Sequence, residues 1–220
     1  MPSLSTISLL PALPEDAPIL SRVHSDAFPN NTLFDLMFGL PTEENMKGFT
    51  SYLSELIASD KTGLFVKAVD NSTNQIVGWS WWNFYLDPES HLAGAKAFAK
   101  EHSSPPESAI NPETFMEYFQ AVISRREKWV GGKPAAYLQV LVVIPEYQGK
   151  GIGTKLMERG LEKAATHNLP IWLESSEDGY VLYKKLGFKD LNDTIIIDFA
   201  KYGESGKCIT ACMLLTHDSS

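Results

Sequence analysis

The chain has two cysteines, no apolar run of eighteen residues, no basic surplus and no basic opening segment, and each shortage removes a class of function. Cys208 and Cys212 sit four apart in a late apolar stretch that reads as a strand, so they are expected as reduced core residues rather than a disulfide framework. Without a long apolar run there is no membrane span. The opening MPSLSTISLLPALPEDA lacks basic residues and is interrupted by prolines, so no secretory signal is expected and the chain is read as cytoplasmic. The glycosylation-like triplets at Asn30, Asn71 and Asn192 then carry no weight. Nineteen basic against twenty-seven acidic residues give a net charge of −8, which disfavours nucleic acid and suits cationic amines. No metal is expected. What remains is an ordinary globular composition, 44% hydrophobic and 21% charged, in 220 residues: long enough for one decorated α/β domain over 1–220 and short for two.

The most informative stretch is Ala135 to Lys155, AAYLQVLVVIPEYQGKGIGTK. Nearly every residue from Tyr137 to Ile144 is apolar, β-branched or aromatic, as in a strand buried on both faces, and Pro145 ends the ladder because it has no N–H to donate. Gln148 to Thr154 follows with glycines at 149, 151 and 153, which leave backbone amides uncovered for an anion. Leu156, Met157, Gly160, Leu161 and Ala164 then recur at helical spacing. A nucleoside triphosphate loop would need Gly-Lys-Ser/Thr, which is absent. A dinucleotide fingerprint would need glycine where Leu156 stands. The segment resembles instead the acetyl-CoA signature of the GCN5-related N-acetyltransferases, Q/R-x-x-G-x-G/A, through Gln148, Gly151 and Gly153.

In chain order, Ile7–Leu10 reads as a first strand, and a helix opening at Pro14 carries Ile19, Leu20, Val23 and Ala27 and stops near Phe28-Pro29. Leu33, Phe34, Leu36, Met37 and Phe38 are too apolar for a solvated loop; a lid over a pocket and plain packing both account for them. Another helix opens at Pro41-Thr42-Glu43-Glu44. Leu64–Val69 and Gln75–Tyr85 flank a polar turn and read as an antiparallel hairpin. Its second strand sends Trp79, Trp81 and Asn83 to one face. With Phe28 they are candidates to line a substrate pocket, and core packing explains the same residues. Two helical pieces, about 89–102 and 112–130, form an insertion over 87–134 that serves either as a specificity element or as a packing surface for a partner subunit.

A second motif strengthens the resemblance. Leu169–Ser176 reads as strand five, and Ser176, Gly179 and Leu182-Tyr183-Lys184-Lys185-Leu186-Gly187-Phe188 match the family's later pattern, with Ser176 and Gly179 where many members have Asn and Ala. Ile195–Lys201 and Lys207–Thr216 supply the last two strands. The resemblance implies an α/β fold with a mixed, mostly antiparallel seven-stranded sheet flanked by helices, the insertion lying between strands three and four. It implies acetyl-CoA as co-substrate, with the arm on the backbone of Leu141, Val142 and Val143, the pyrophosphate on Gln148, Gly149, Lys150, Gly151, Ile152, Gly153 and Thr154, and Ser176 near the arm. Tyr183 takes the family's general-acid position, since a phenol can give its proton to a departing thiolate. The base is missing: Tyr137 and Gln139 stand where several members carry Glu or His. Glu174 is the substitute, and a water chain to solvent fits equally. His24 and His91 lie far from any motif and receive no role. The expected reaction is direct acetyl transfer to a primary amine of a small molecule by a monomer or homodimer. A protein N-acetyltransferase and a non-catalytic acyl-CoA-binding regulatory domain are the alternatives.

Overall fold

The computed structural model describes residues 6–29 and 31–216. Met1 to Ser5 of the opening segment and Asn30, which begins one glycosylation triplet, lie outside the described residues. Seven strands are ordered β1-β2-β3-β4-β5-β7-β6: β1 Ile7–Pro11, β2 Gly63–Asp70, β3 Gln75–Tyr85, β4 Ala135–Val143, β5 Ile171–Ser175, β6 Lys189–Asp198 and β7 Lys207–Leu215. The β1–β2, β2–β3, β5–β7 and β6–β7 pairs are antiparallel. The helices are α1 Ala17–Ala27, α2 Thr32–Phe38, α3 Glu43–Ser59, α4 Pro88–Glu101, α5 Pro112–Val130, α6 Ile152–Thr166 and α7 Glu177–Lys185. Among the described residues, no helix is long and apolar enough to cross a membrane.

Local chemistry explains the helix starts. Thr42, Asp87 and Asn111 each accept a hydrogen bond from a first-turn amide, and Pro88 and Pro112 fill first-turn positions where the missing N–H costs nothing. The insertion is therefore two capped helices, as the sequence predicts. The chain divides into two compact units. The first comprises Met1–Asn30, Thr42–Phe84 and Leu138–Thr166. Its core joins Leu20, Val23 and Leu53 of α1 and α3 to Phe65, Val66, Val77 and Trp79 of the hairpin and to Ile152 and Leu156 of α6. The indole N–H of Trp79 donates to the Leu20 carbonyl at 3.0 Å, so this large ring is buried with its polar atom satisfied. On the other face of β3, Trp82 lies against Gly160 of α6: a Cβ there would sit 2.1 Å from the indole.

The second unit comprises Asn31–Pro41, Tyr85–Tyr137 and His167–Ser220, with Val122, Tyr137, Trp172, Ile195, Ile197 and Cys212 in its core. Three expectations are corrected or resolved here. The apolar 33–38 segment is α2, capped by Asn31; Met37 is buried and its carbonyl accepts from Ile110 N–H at 2.8 Å, so α2 packs within this unit. β6 begins at Lys189 rather than Ile195, because pairing with β7 carries the polar residues 189–190 into the ladder ahead of a bulge between Asp190 and Thr194. Residues 199–201, expected as strand, form with Tyr202 a 3-10 turn capped by Asp198. The two cysteines are free thiols, Cys212 buried and Cys208 half-buried.

Candidate functional site

In the first unit, β4 runs into the glycine turn. Ile144 N–H donates to Val77 O at 3.0 Å and Pro145 opens a short 3-10 turn, so the ladder stops as expected. Gly149 and Gly151 adopt φ of 70° and 80°, the left-handed region that L side chains avoid, and nothing lies within 4 Å of the place a Gly149 Cβ would occupy. Helix α6 begins directly afterwards, at Ile152. The first amides of a helix have no intrahelical acceptor and carry the positive end of its dipole, so Gly151 to Thr154 form a cradle for an anionic group. Gln148 and Lys150 turn back onto the loop, Gln148 Nε2 donating to Val143 O at 2.9 Å and Lys150 Nζ to Glu146 O. The Ile152 side chain is buried in the core, which leaves only its backbone to face a ligand. In β4, Val142 is buried while Leu141 and Val143 are half-buried. A Cβ on Gly78 would sit 2.6 Å from Val142 O, so glycine permits that close strand approach.

The proposed pocket residues divide sharply. Trp79 is fully buried and bonded to α1, and Asn83 is 4% exposed, so neither is an open wall for substrate. Asn83 Nδ2 donates to Asp60 Oδ2 at 2.7 Å and Thr62 Oγ1 at 2.8 Å, and Asn83 Oδ1 accepts from Gln139 Nε2 at 3.0 Å. Trp81 is half-buried and stacked on Phe65 at 5.6 Å; its indole nitrogen has no partner among the described residues. Phe28 is half-buried with its ring 5.6 Å from that of His24. Burial holds the His24 pKa down at about 4, so the ring is neutral at pH 7.

In the second unit, Glu174 is neither a solvated strand-end carboxylate nor an open base. Both of its oxygens accept from Arg126, Nε to Oε1 and Nη2 to Oε2 at 2.8 Å each, and Oε1 also accepts from Trp172 Nε1 at 2.6 Å. The guanidinium lies over Phe98 at 4.4 Å and Tyr137 at 5.2 Å. Burial alone would lower the Arg126 pKa, but Glu174 raises it above the ordinary value and the charge is kept. A carboxylate whose lone pairs are committed in this way is a poor acceptor for a substrate proton. Tyr183 is 7% exposed and packed edge-on to Phe188, and burial pushes its pKa up. Ser176 is exposed and caps α7 through Gly179 N–H at 3.3 Å, so its hydroxyl already has a structural task.

Two networks escape a reading of the sequence because their members are remote in the chain. His91 Nδ1 accepts from Gly132 N–H at 3.2 Å, which places its proton on Nε2 and makes the Tyr137 hydroxyl, 2.6 Å away, the acceptor. Burial lowers the His91 pKa, in keeping with a neutral ring. The other is the Asp60–Asn83–Gln139 chain.

A family model for the acetyltransferase (GNAT) domain matches residues 118–190. No curated protein sequence matches. Among solved structures, the chain is 22% identical to a protein described as histone acetyltransferase HPA2 and related acetyltransferase from Corynebacterium glutamicum, with 98% of each chain covered and a TM-score of 0.58. It is 16% identical to a mosquito arylalkylamine N-acetyltransferase like 5b, covering 95% of this chain and 100% of that one at a TM-score of 0.62. It is 12% identical to a Drosophila melanogaster polyamine N-acetyltransferase, covering 96% and 100% at a TM-score of 0.66. At these identities the likeness is one of fold.

Proposed function

Since the chain has the fold of the GCN5-related N-acetyltransferases and matches their domain model over 118–190, we propose that it transfers acetyl from acetyl-CoA to a primary amine of a small molecule. The observation that carries this is the left-handed Gly149 and Gly151 pair opening straight into α6, a fold-and-dipole cradle that fits a pyrophosphate. Acetyl-CoA, when bound, supplies the thioester. The amides of 151–154 hold the anionic end, Lys150 adds a positive charge beside them, and the backbone at Leu141 and Val143 aligns the arm as an added strand. Transfer forms an N–C bond and breaks the C–S bond; the amine's proton leaves to solvent, the departing sulfur takes one from the Tyr183 hydroxyl, and Tyr183 regains its proton from solvent before the next turnover. Burial keeps that phenol protonated throughout the working pH range. Because Glu174 is committed to Arg126, the rate should rise with pH until the free amine predominates.

A negative net charge and the half-buried rings of Phe28 and Trp81 favour a hydrophobic or aromatic amine. Both acceptor classes occur in the names of the similar structures, small amines for the mosquito and Drosophila proteins and histone for the Corynebacterium glutamicum one, so the choice of a small amine rests on the charge and the rings. Gly151→Asp would place a side chain and a negative charge in the cradle. Calorimetry should show CoA binding abolished in the folded variant, and unchanged affinity would remove the reading. Release of free thiol, compared across small amines and peptides, identifies the acceptor class. CoA binding without turnover of any amine would make the chain an acyl-CoA-binding module.

A further inference from the structure

Tyr147, in the 3-10 turn between β4 and the glycine turn, ties that segment to a distant part of the first unit. Its hydroxyl donates to Asp70 Oδ2 at 2.9 Å, across 77 positions of sequence. Asp70 is a firm anchor. It ends β2 with its backbone paired to Ile7 of β1 and to Gln75 of β3, and it is 1% exposed. Its Oδ1 accepts from the Ser72 N–H at 2.9 Å and from the Ser72 hydroxyl at 2.7 Å. The Ser72 bonds, with Tyr147 and Lys150 adding to them, hold its carboxyl below the ordinary carboxylate range, so it is charged at pH 7. The bond to Asp70 raises the Tyr147 pKa, and a hydrogen bond from the Thr73 hydroxyl of the same turn offsets this only in part, so the phenol remains the donor.

On charge alone, Asp70 would weaken an anion site. By Coulomb's law a carboxylate bonded to the segment that leads into the cradle repels a phosphate. The glycine turn supplies an opposing effect: Gly149 and Gly151 sit at φ of 70° and 80°, and residues without side chains lose the most freedom when a turn is fixed. The bonds from Gln148 Nε2 to Val143 O and from Lys150 Nζ to Glu146 O are local and tie the turn to itself. Tyr147 ties it to the sheet, and the Lys150 ammonium lies over the same ring at 4.9 Å. We propose that Asp70 and Tyr147 are positioning residues, through which the β2–β3 hairpin holds the glycine turn in its anion-receiving shape before the ligand arrives; this rests on the acetyl-transfer reading above. The freedom lost on binding is then small, and the affinity for the pyrophosphate end of the co-substrate rises.

The test uses the full chain and CoA, with calorimetry for affinity and amide hydrogen exchange for the turn. Tyr147→Phe removes one hydroxyl and keeps the ring against the core and under Lys150. It should weaken CoA binding about tenfold at unchanged stoichiometry. In the free protein it should speed exchange of the amides of 148–152 about tenfold, while β4 and the body of α6 exchange as in the wild type. Asp70→Ala should weaken CoA binding by a similar factor, and the double variant should lose no more than either single one. Charge alone predicts the opposite sign for Asp70→Ala, tighter binding, and that result would overturn the proposal. So would unchanged affinity in Tyr147→Phe, additive losses in the double variant, or exchange that quickens throughout the first unit, which would make the bond a general stabiliser of the fold. If Asp70→Ala does not fold, Tyr147→Phe carries the test alone, in affinity and in exchange. A wild type that does not bind CoA removes the acetyl-transfer reading and this proposal with it, whereas a wild type that binds CoA no more tightly than Tyr147→Phe removes this proposal alone.

Discussion

A single residue decides most about proton movement in the proposed reaction. Tyr183 is buried, and its raised pKa keeps it a donor rather than a phenolate. Tyr183→Phe should retain the Phe188 contact and the affinity for CoA while lowering turnover on the order of 10²-fold. Steady-state kinetics showing equal turnover would make Tyr183 a packing residue. Glu174 behaves in the opposite way, because its bidentate bond to Arg126 makes it part of the core. Glu174→Gln leaves a buried guanidinium without its counter-charge, which should cost roughly 3 kcal/mol, a fall in Tm of about 10 °C for a chain of this length. The shape of the pH–rate profile should not change. A profile that loses an inflection, with stability intact, would restore Glu174 as the base.

At the scale of elements, the contact between β3 and α6 depends on a missing side chain. Gly160 lies on the buried face of α6 with the Trp82 indole where its Cβ would be. Both partners are held by regular structure, so Gly160→Ala forces a shift in one of them and overpacking outweighs the gain in helix propensity. Urea denaturation should show a loss of about 1 to 3 kcal/mol with the m-value unchanged. A stabilised variant would mean that the Trp82 ring can move aside freely.

For the whole molecule, acid stability follows from carboxylates paired in the folded state. Asp193, at the bulge in β6, accepts from Lys128, Trp129 and Arg125 of α5, and those partners hold its pKa down at about 2. The folded value lies below the unfolded one of about 3.9. The contribution is therefore complete above pH 4 and is lost as pH falls toward 2. Partial exposure screens the group, so Asp193→Asn should cost about 1 kcal/mol near neutrality, or about 3 °C in Tm by calorimetry. That difference should shrink as pH drops through this window. A constant difference would assign the effect to packing at the bulge.

The strand-turn-helix from Ala135 onward, the hairpin and both insertion helices are legible in the sequence because each is specified by neighbours in the chain: a proline that cannot donate, glycines free to take positive φ, caps one turn from their amides, and apolar residues at a fixed period. The Leu-Tyr-x-x-x-Gly-Phe spacing belongs to the same class of local information. Partnerships between distant residues are not legible in this way. Glu174 reads as a free carboxylate in the sequence, whereas in the fold Arg126, 48 positions away, holds both of its oxygens. In the sequence Trp79 and Asn83 fit a pocket wall and core packing alike, and only the fold, with α1 and Asp60 against them, decides for packing. The start of β6 gives no signal because residues 189–194, polar except for Leu191, lack alternation and are strand only through pairing with β7. The physical reason is one of range: backbone preference and periodicity act over a few residues, whereas the partner of a buried charge or amide is chosen by whichever element tertiary packing brings alongside.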